Sequence, residues 1–532
     1  MHADLILLNA AVHTFNPNQP GAEAIVTAGS RILWTGSDSQ ATAFKGPGTR
    51  IIDLAGKAVL PGFIDAHQHQ LYMGLSYHHL DLRPDKAGSV EDIIALVQAR
   101  ARQVRPGSWI EGYGFHDGRL EEARNPNRHD LDRAAPEHPV LLARTCGHVL
   151  VINSRALELA GITRDTPDPP GGSIDREGTA GEPSGIIRES AMALVRRVLP
   201  KPETAQLREA IRAGSATNLH KGITSIWEPS IEPDHLRAYR DLEANGELAV
   251  RVIMAHKKVL RSGEEVPLPQ AFRGEWLSLV AIKLFQDGGF GAATAALTEP
   301  YANDPESHGH LIWSQRELNE RARQIRDAGL GISIHAIGDA AIRSALQAFE
   351  SAGQLKDKTV LDRIEHCGLP LPPLPEQIAR RGVVPVLQPV FLWFDGDVYI
   401  DRVGPARARW LYPVRTLLEQ GLCVAGSSDG PVVPDINPLL GAYAAATRRS
   451  QSGQLVAPEE AVPLEEALRL FTHHAAQACG EGQHRGTLEP GKAADFVILG
   501  ADPFSVSLHE LPDVPVEGVF IGGQEADLNK SV

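Results

Sequence analysis

The sequence predicts a (β/α)8 TIM barrel carrying a small β-sandwich-like domain assembled from both ends of the chain. Three observations predict it. Short strands alternate with amphipathic helical stretches through the middle of the chain, which is the texture of parallel βα units. Eight candidate strands can be read there: Val59–Ala66, Thr224–Glu228, Ala249–Ala255, Val280–Phe285, Gly331–His335, Val360–His366, Val383–Leu387 and Leu422–Ser428, the number a closed barrel needs. Both ends have a different texture, with short apolar runs separated by turn signals.

Residues 1–57 give the first part of the β domain. Leu5-Ile-Leu-Leu8, Ala11-Val-His-Thr-Phe15, Ala24-Ile-Val26, Ile32-Leu-Trp34 and Ile51-Ile52 read as strands, and Asn16-Pro-Asn18 and Leu54-Ala-Gly-Lys57 as turns. Residues 480–532 give the second part, through Phe496-Val-Ile-Leu499 and Val516-Glu-Gly-Val-Phe-Ile521. The barrel then spans residues 58–479. Its helices include Gln315–Ala328 and Asp339–Ala352, each amphipathic. The gap between the first two candidate strands is long, so residues from about 75 to about 210 read as an insertion, with a Pro/Gly-rich loop at Thr166-Pro-Asp-Pro-Pro-Gly-Gly172.

Composition narrows the function classes. A chain of 532 residues with 42% apolar and 22% charged residues has the makeup of a soluble globular protein with a sizeable core. The net charge of −14 comes with no run of Lys and Arg, so neither nucleic acid nor a membrane surface is an expected partner. No apolar run reaches the length of a membrane span. The opening Met-His-Ala-Asp-Leu-Ile-Leu-Leu has no basic stretch of the kind that begins a secretory signal. The four cysteines stand far apart, as reduced thiols do. The expected setting is cytoplasmic, the expected partner a small-molecule substrate, and a homodimer is the candidate assembly.

The chemistry is read from the strand ends, where active sites of such barrels lie. The first strand runs through Pro61-Gly-Phe-Ile-Asp-Ala into His67-Gln-His69. Side chains two positions apart on an extended chain point the same way, so two imidazoles can reach one ion. A second such pair, His308-Gly-His310, follows Asn303-Asp-Pro-Glu-Ser and reads as solvated loop. Val280-Ala-Ile-Lys283-Leu-Phe285 places a lysine inside an apolar strand, where an unpaired ammonium is expensive. An ordinary ion pair with Asp287 or Glu228 is one solution. Gly331-Ile-Ser-Ile-His335 and Arg363-Ile-Glu-His366 end in histidine, and Val424-Ala-Gly-Ser-Ser-Asp429 ends in aspartate. Four histidines, one lysine and one aspartate are thus expected at one barrel mouth.

These residues carry a resemblance. The chain resembles the amidohydrolase superfamily, metal-dependent hydrolases on a distorted (β/α)8 barrel. The first-strand motif ending in His67-Gln-His69 and the C-terminal Gly486-Thr-Leu-Glu-Pro-Gly-Lys-Ala-Ala-Asp495 are similar to motifs of that superfamily. Ile282-Lys-Leu-Phe-Gln-Asp-Gly-Gly289, His335-Ala-Ile-Gly-Asp-Ala-Ala341, Arg363-Ile-Glu-His-Cys367 and Gly426-Ser-Ser-Asp-Gly-Pro-Val432 are similar to segments of its YtcJ-like branch, which includes N-substituted formamide deformylase. Glu182-Pro-Ser-Gly-Ile-Ile-Arg-Glu189, Gly147-His148 and Asn153-Ser-Arg-Ala-Leu157 add to the likeness.

The resemblance implies roles. His67 and His69 would bind one divalent ion and His335 and His366 a second. Lys283, carboxylated on its Nζ, would bridge them, and Asp429 would bind the first ion and handle protons. Zinc is the expected ion for one or two such sites of nitrogen and oxygen donors, with manganese and iron as alternatives. The implied activity is hydrolysis of a C–N bond in an amide, N-substituted formamide or cyclic amide by metal-activated water. A deaminase or an esterase on the same site, and a non-catalytic barrel with a binding role, are the alternatives. The insertion is expected to help form the substrate pocket through His148, with Trp393 and Phe394 as apolar walls from the loop after the seventh strand.

Overall fold

The computed structural model describes residues 2–77, 79–144, 149–169, 172–189, 191–260, 264–355, 357 and 359–528. It places eight parallel strands in one sheet, each beside its neighbour in sequence. They are β1 (Phe63–Asp65), β2 (Ile223–Ile231), β3 (Arg251–Lys257), β4 (Leu277–Phe285), β5 (Gly331–Ala336), β6 (Arg363–His366), β7 (Val384–Leu387) and β8 (Ala425–Gly426). Nearly every residue in them is buried, as in a parallel sheet covered on both faces. The two end strands meet through short contacts: Ala66 N donates to Gly426 O at 3.3 Å and Asp429 N to His67 O at 2.8 Å. The sheet therefore closes almost completely into a barrel.

Helices follow most strands. Gln315–Asp327 follows β4 and begins at Ser314, whose hydroxyl accepts from Glu317 N while the Glu317 carboxylate takes Ser314 N. Asp339–Ala352 follows β5, and its buried face carries Ile342, Ala345 and Phe349.

The reading of Val59–Ala66 as one strand needs correction. Ala58–Pro61 belongs to a different, six-stranded sheet, in which it pairs parallel with Ala11–Asn16 and antiparallel with Phe496–Leu499. Only Phe63–Asp65 enters the barrel. Gly62 makes the step because a Cβ there would meet the Thr224 side chain at 2.4 Å.

That six-stranded sheet joins strands from both ends of the chain. Its order is Gln524–Glu525, Val516–Ile521, Phe496–Leu499, Ala58–Pro61, Ala11–Asn16 and Gln19–Ala22. A four-stranded sheet of Arg31–Gly36, Ala24–Ala28, Leu5–Leu8 and Arg50–Asp53 shares a core with it through Leu7, Ile25, Val59, Phe496 and Phe520. Arg251, the first residue of β3, forms a two-pronged pair with Asp495 (Nε to Oδ2 2.8 Å, Nη2 to Oδ1 3.0 Å) with both side chains buried. This pair ties the C-terminal strands to the barrel.

Residues 74–206 form a second compact unit. Its six-stranded sheet runs Gly172–Glu177, Glu182–Glu189, Val149–Ile152, Val140–Arg144, Ile110–Phe115 and Leu80–Asp81. A core of Ile93, Val97, Ile110, Leu131 and Val140 packs helices Val90–Ala101 and Arg128–Ala134 on it. No helix among the described residues is long and apolar enough to cross a membrane.

Candidate metal centre

The turn after β1 is fixed by buried side chains before it presents any imidazole. Asp65 Oδ1 accepts from His67 N (3.2 Å) and Ser428 N (3.1 Å). Asn218 exchanges amide hydrogen bonds with Gln68 (2.8 and 2.9 Å) and donates to Gln70 Oε1 at 2.8 Å. Glu228 Oε1 takes Leu71 N at 2.9 Å, and His69 N donates to Gly430 O at 2.8 Å. The three backbone N–H groups and the Gln68 amide of the His67-Gln-His69 turn are thus held, and the two rings stand 5.4 Å apart at 81°.

His67 Nδ1 lies 2.5 Å from Glu365 Oε2. Glu365 Oε1 accepts from Arg363 Nε (2.8 Å) and Ser333 Oγ (2.6 Å). Burial opposes ionisation of Glu365, but Arg363 and His67 hold its carboxyl well below the usual range. A carboxylate there accepts the Nδ1 proton and leaves His67 Nε2 as the free lone pair. That Nε2 is 3.3 Å from Asp429 Oδ1, and His69 Nε2 is 3.2 Å from the same oxygen. Gln388 Oε1 accepts from His366 Nδ1 at 2.9 Å, which points the other ring nitrogen of His366 away from the amide.

The rings crowd together: His67 and His366 are 4.9 Å apart, and His335 and His366 4.4 Å. His67, His366 and Asp429 each offer a ligand atom within 4.8 Å of the other two, so these three could hold a metal ion. Further donors lack partners. His69 Nδ1, Lys283 Nζ and Asp429 Oδ1 are buried and have no hydrogen-bond partner among the described residues. Buried polar atoms are rarely left so, and a cation bound between imidazole and carboxylate groups accounts for the orphaned carboxylate oxygen. The donor set of nitrogen and oxygen atoms fits a divalent ion.

Burial keeps His69, His335 and His366 neutral, the form that ligates. It pushes His335 down to about 3, with Lys283 adding to the effect, and His366 well below its usual range. Burial also draws Lys283 down to about 8, against the pull of Glu365 and Asp429. Neither carboxylate suggested as its ordinary partner serves. Asp287 accepts from the backbone N–H of Ala296, Ile337 and Gly338 (3.0, 3.0 and 2.8 Å), and Glu228 holds Leu71 N and the Tyr239 hydroxyl. His335 Nε2 lies 3.0 Å from Gly288 O. His366, Cys367 and Asp429 all have positive φ (74°, 45° and 59°). Non-glycine residues hold that conformation at a cost of about 1–3 kcal/mol each, and they cluster at functional sites.

The structure therefore brings His67, His69, Lys283, His335, His366 and Asp429 to one end of the barrel. His308 and His310 are exposed. His148 lies outside the described residues. Trp393 and Phe394 are not on a loop: both sit half-buried in a helix, Pro389–Val403, that starts directly after β7. Trp393 meets Tyr443 edge to face at 5.5 Å, and it is Phe391 that stacks on His366 (6.3 Å, 15°). Sequence reasoning missed Glu365, Gln388 and Asp65. Glu365 carried a signal, because a glutamate inside a barrel strand must be paired, and Arg363 stands two positions before it on the same side of that strand.

Known proteins resemble the chain over nearly its whole length. The chain is 31% identical over 523 residues to YtcJ of Bacillus subtilis, covering 96% of this chain and 97% of that one. It is 27% identical over 537 residues to the N-substituted formamide deformylase of Arthrobacter pascens, covering 98% and 97%. A crystal structure of a metal-dependent hydrolase from Pyrococcus horikoshii superimposes with a TM-score of 0.80 at 28% identity, covering 95% of this chain and 99% of that one. The pattern of the amidohydrolase family matches residues 50–526, and with the barrel and its histidine cluster this makes the chain a member of that family, a metal-dependent hydrolase of carbon–nitrogen bonds.

Proposed function

We propose that the protein hydrolyses the amide bond of a small N-substituted formamide, an N-acyl amine or a cyclic amide. His67, His69, Lys283, His335, His366 and Asp429 are the residues we assign to one or two divalent ions, with zinc the expected metal. The observation that carries this reading is the convergence of the His67 and His69 Nε2 atoms on Asp429 Oδ1, with a buried Lys283 Nζ that has no hydrogen-bond partner among the described residues and with His335 and His366 kept neutral by burial. When bound, a divalent ion supplies Lewis acidity, which polarises a carbonyl and lowers the pKa of water from about 15.7 toward about 7.

The chain's own residues do the rest. Glu365 and Gln388 orient the imidazoles of His67 and His366. Burial opposes ionisation of Asp429, but its contacts with His67 and His69 hold it well below the usual range, so it enters the reaction as a carboxylate. It accepts the proton of the attacking water and delivers it to the leaving nitrogen, which departs poorly until protonated. Lys283, drawn to about 8, has its neutral amine within reach near neutral pH. Carboxylation of that amine by carbon dioxide, with loss of one proton, makes an anion that suits two neighbouring cations.

The test is metal analysis of the purified protein, followed by a screen of N-alkylformamides, N-acetylamines, cyclic amides, esters and amidines. The reading expects about one or two equivalents of a divalent metal and hydrolysis of amides over esters and amidines. Activity should vanish on chelation and return with added zinc. A metal-free protein, or one that turns over only esters or amidines, would contradict it.

A further inference from the structure

Tyr412 carries a hydroxyl that no described residue bonds. The residue is fully buried, yet its hydroxyl oxygen has no hydrogen-bond partner among the described residues. An unsatisfied buried hydroxyl destabilises a fold, and a phenylalanine of nearly the same shape would avoid the penalty.

One ring, Phe391, stands between Tyr412 and the metal-directed His366. The Tyr412 ring stands edge-on to Phe391 (6.0 Å, 83°), and Phe391 stacks on His366. The other face of the group is Tyr399, stacked on Tyr412 at 6.2 Å and 26°. Asp429 is the carboxylate with the strongest electrostatic effect on the Tyr412 phenol, followed by Asp395 and Asp287.

The backbone of Tyr412 is clamped from two sides. Its φ is 46°, in the left-handed region. Its N–H donates to Gly368 O at 2.9 Å, two residues beyond His366. Its carbonyl accepts from Arg448 Nη1 at 2.9 Å, while Arg448 Nη2 and Nε take the carbonyls of Leu411 (2.6 Å) and Val456 (3.0 Å). Arg448 is itself fully buried, and burial pushes its guanidinium down to about 10. A charged side chain is thus buried to hold the peptide groups around one strained tyrosine, whose hydroxyl has no hydrogen-bond partner among the described residues.

We propose that Tyr412 is a substrate-contacting residue. Its hydroxyl donates a hydrogen bond to the carbonyl oxygen of the amide under attack as negative charge gathers there. This rests on the amide-hydrolase reading of the site. Burial and the neighbouring carboxylates hold the phenol well above its usual range, so it stays protonated and acts only as a donor. No atom is transferred, and the bond strengthens as the oxygen becomes anionic.

The experiment compares the metal-loaded wild type with Tyr412→Phe. The probe is whichever of N-cyclohexylformamide, N-cyclohexylacetamide and 2-pyrrolidinone the wild type cleaves fastest. The expected result is a fall in kcat of about 10²-fold, a smaller change in KM, unchanged metal content, and a Tm at or above that of the wild type. A hydroxyl with a hidden structural partner gives the opposite pattern, a lower Tm with kcat kept, and that overturns the proposal. So does a kcat within about threefold of the wild type. A wild type that binds metal but cleaves none of the three probes fails one stage earlier, overturning the amide reading and this inference with it.

Discussion

Glu365 Oε2 and His67 Nδ1 are 2.5 Å apart although 298 positions separate them in the chain. The carboxylate is anchored by Arg363 and Ser333, and all of these side chains are buried. The contact decides which nitrogen of His67 faces Asp429. Glu365→Ala should weaken metal affinity by about 10–100-fold, read by titration against a chelator. Glu365→Gln keeps an acceptor for Nδ1 and should fall between that variant and the wild type. Equal affinity in all three proteins would show that the contact does not orient His67.

His67 and His69 should each be needed for metal. His67→Ala and His69→Ala should lower bound metal and abolish turnover, measured by elemental analysis and by the best substrate of the amide screen. Both variants keeping wild-type metal content and rate would remove these two ligands from the account.

The Arg251–Asp495 pair is buried on both sides. Asp495→Ala leaves a buried guanidinium without its carboxylate and should cost about 3–5 kcal/mol in unfolding free energy. Chemical denaturation measures this. A change within about 0.5 kcal/mol would mean that the C-terminal strands stay docked without the pair.

Glu228, which accepts from Leu71 N just behind the His67-Gln-His69 turn, supplies a pH test. Burial raises its pKa from 4.5 to about 8, against the hydrogen bonds from Tyr239 and Leu71. The folded state therefore binds this proton more tightly than the unfolded state. The stability it contributes is fully present below pH 4.5 and is lost as the pH rises through about 8. Glu228→Gln cannot ionise, so its Tm relative to the wild type should climb between pH 5 and pH 8. A constant difference across that range would show that Glu228 titrates normally.

Much of the barrel was legible because its strands are apolar runs with helical periods between them. Gly331 to His335 and Asp339–Ala352 fall almost where the pattern puts them. The misses have local causes. Pro61-Gly62 hides a change of sheet inside one apolar run. The last barrel strand shrinks to Ala425–Gly426 because the next residues turn to side chains, with Ser427 Oγ donating to Leu387 O and Ser428 N to Asp65. A loop is the expectation after the seventh strand, yet Pro389 stands at a first helical turn, where proline is a start signal. At the site, histidines at strand ends can be seen in one dimension. The carboxylate and amide that aim them cannot, since Glu365 and Gln388 are defined only by what the barrel brings beside them.

Asp429→Asn tests the central claim most directly. The substitution keeps the shape and one ligand oxygen but removes the carboxylate that carries the proton from water to the leaving nitrogen. With metal content measured in the same sample, kcat should fall by at least about 10²-fold while at least one metal equivalent stays bound. A metal-loaded Asp429→Asn enzyme cleaving its amide at close to the wild-type rate would contradict the account.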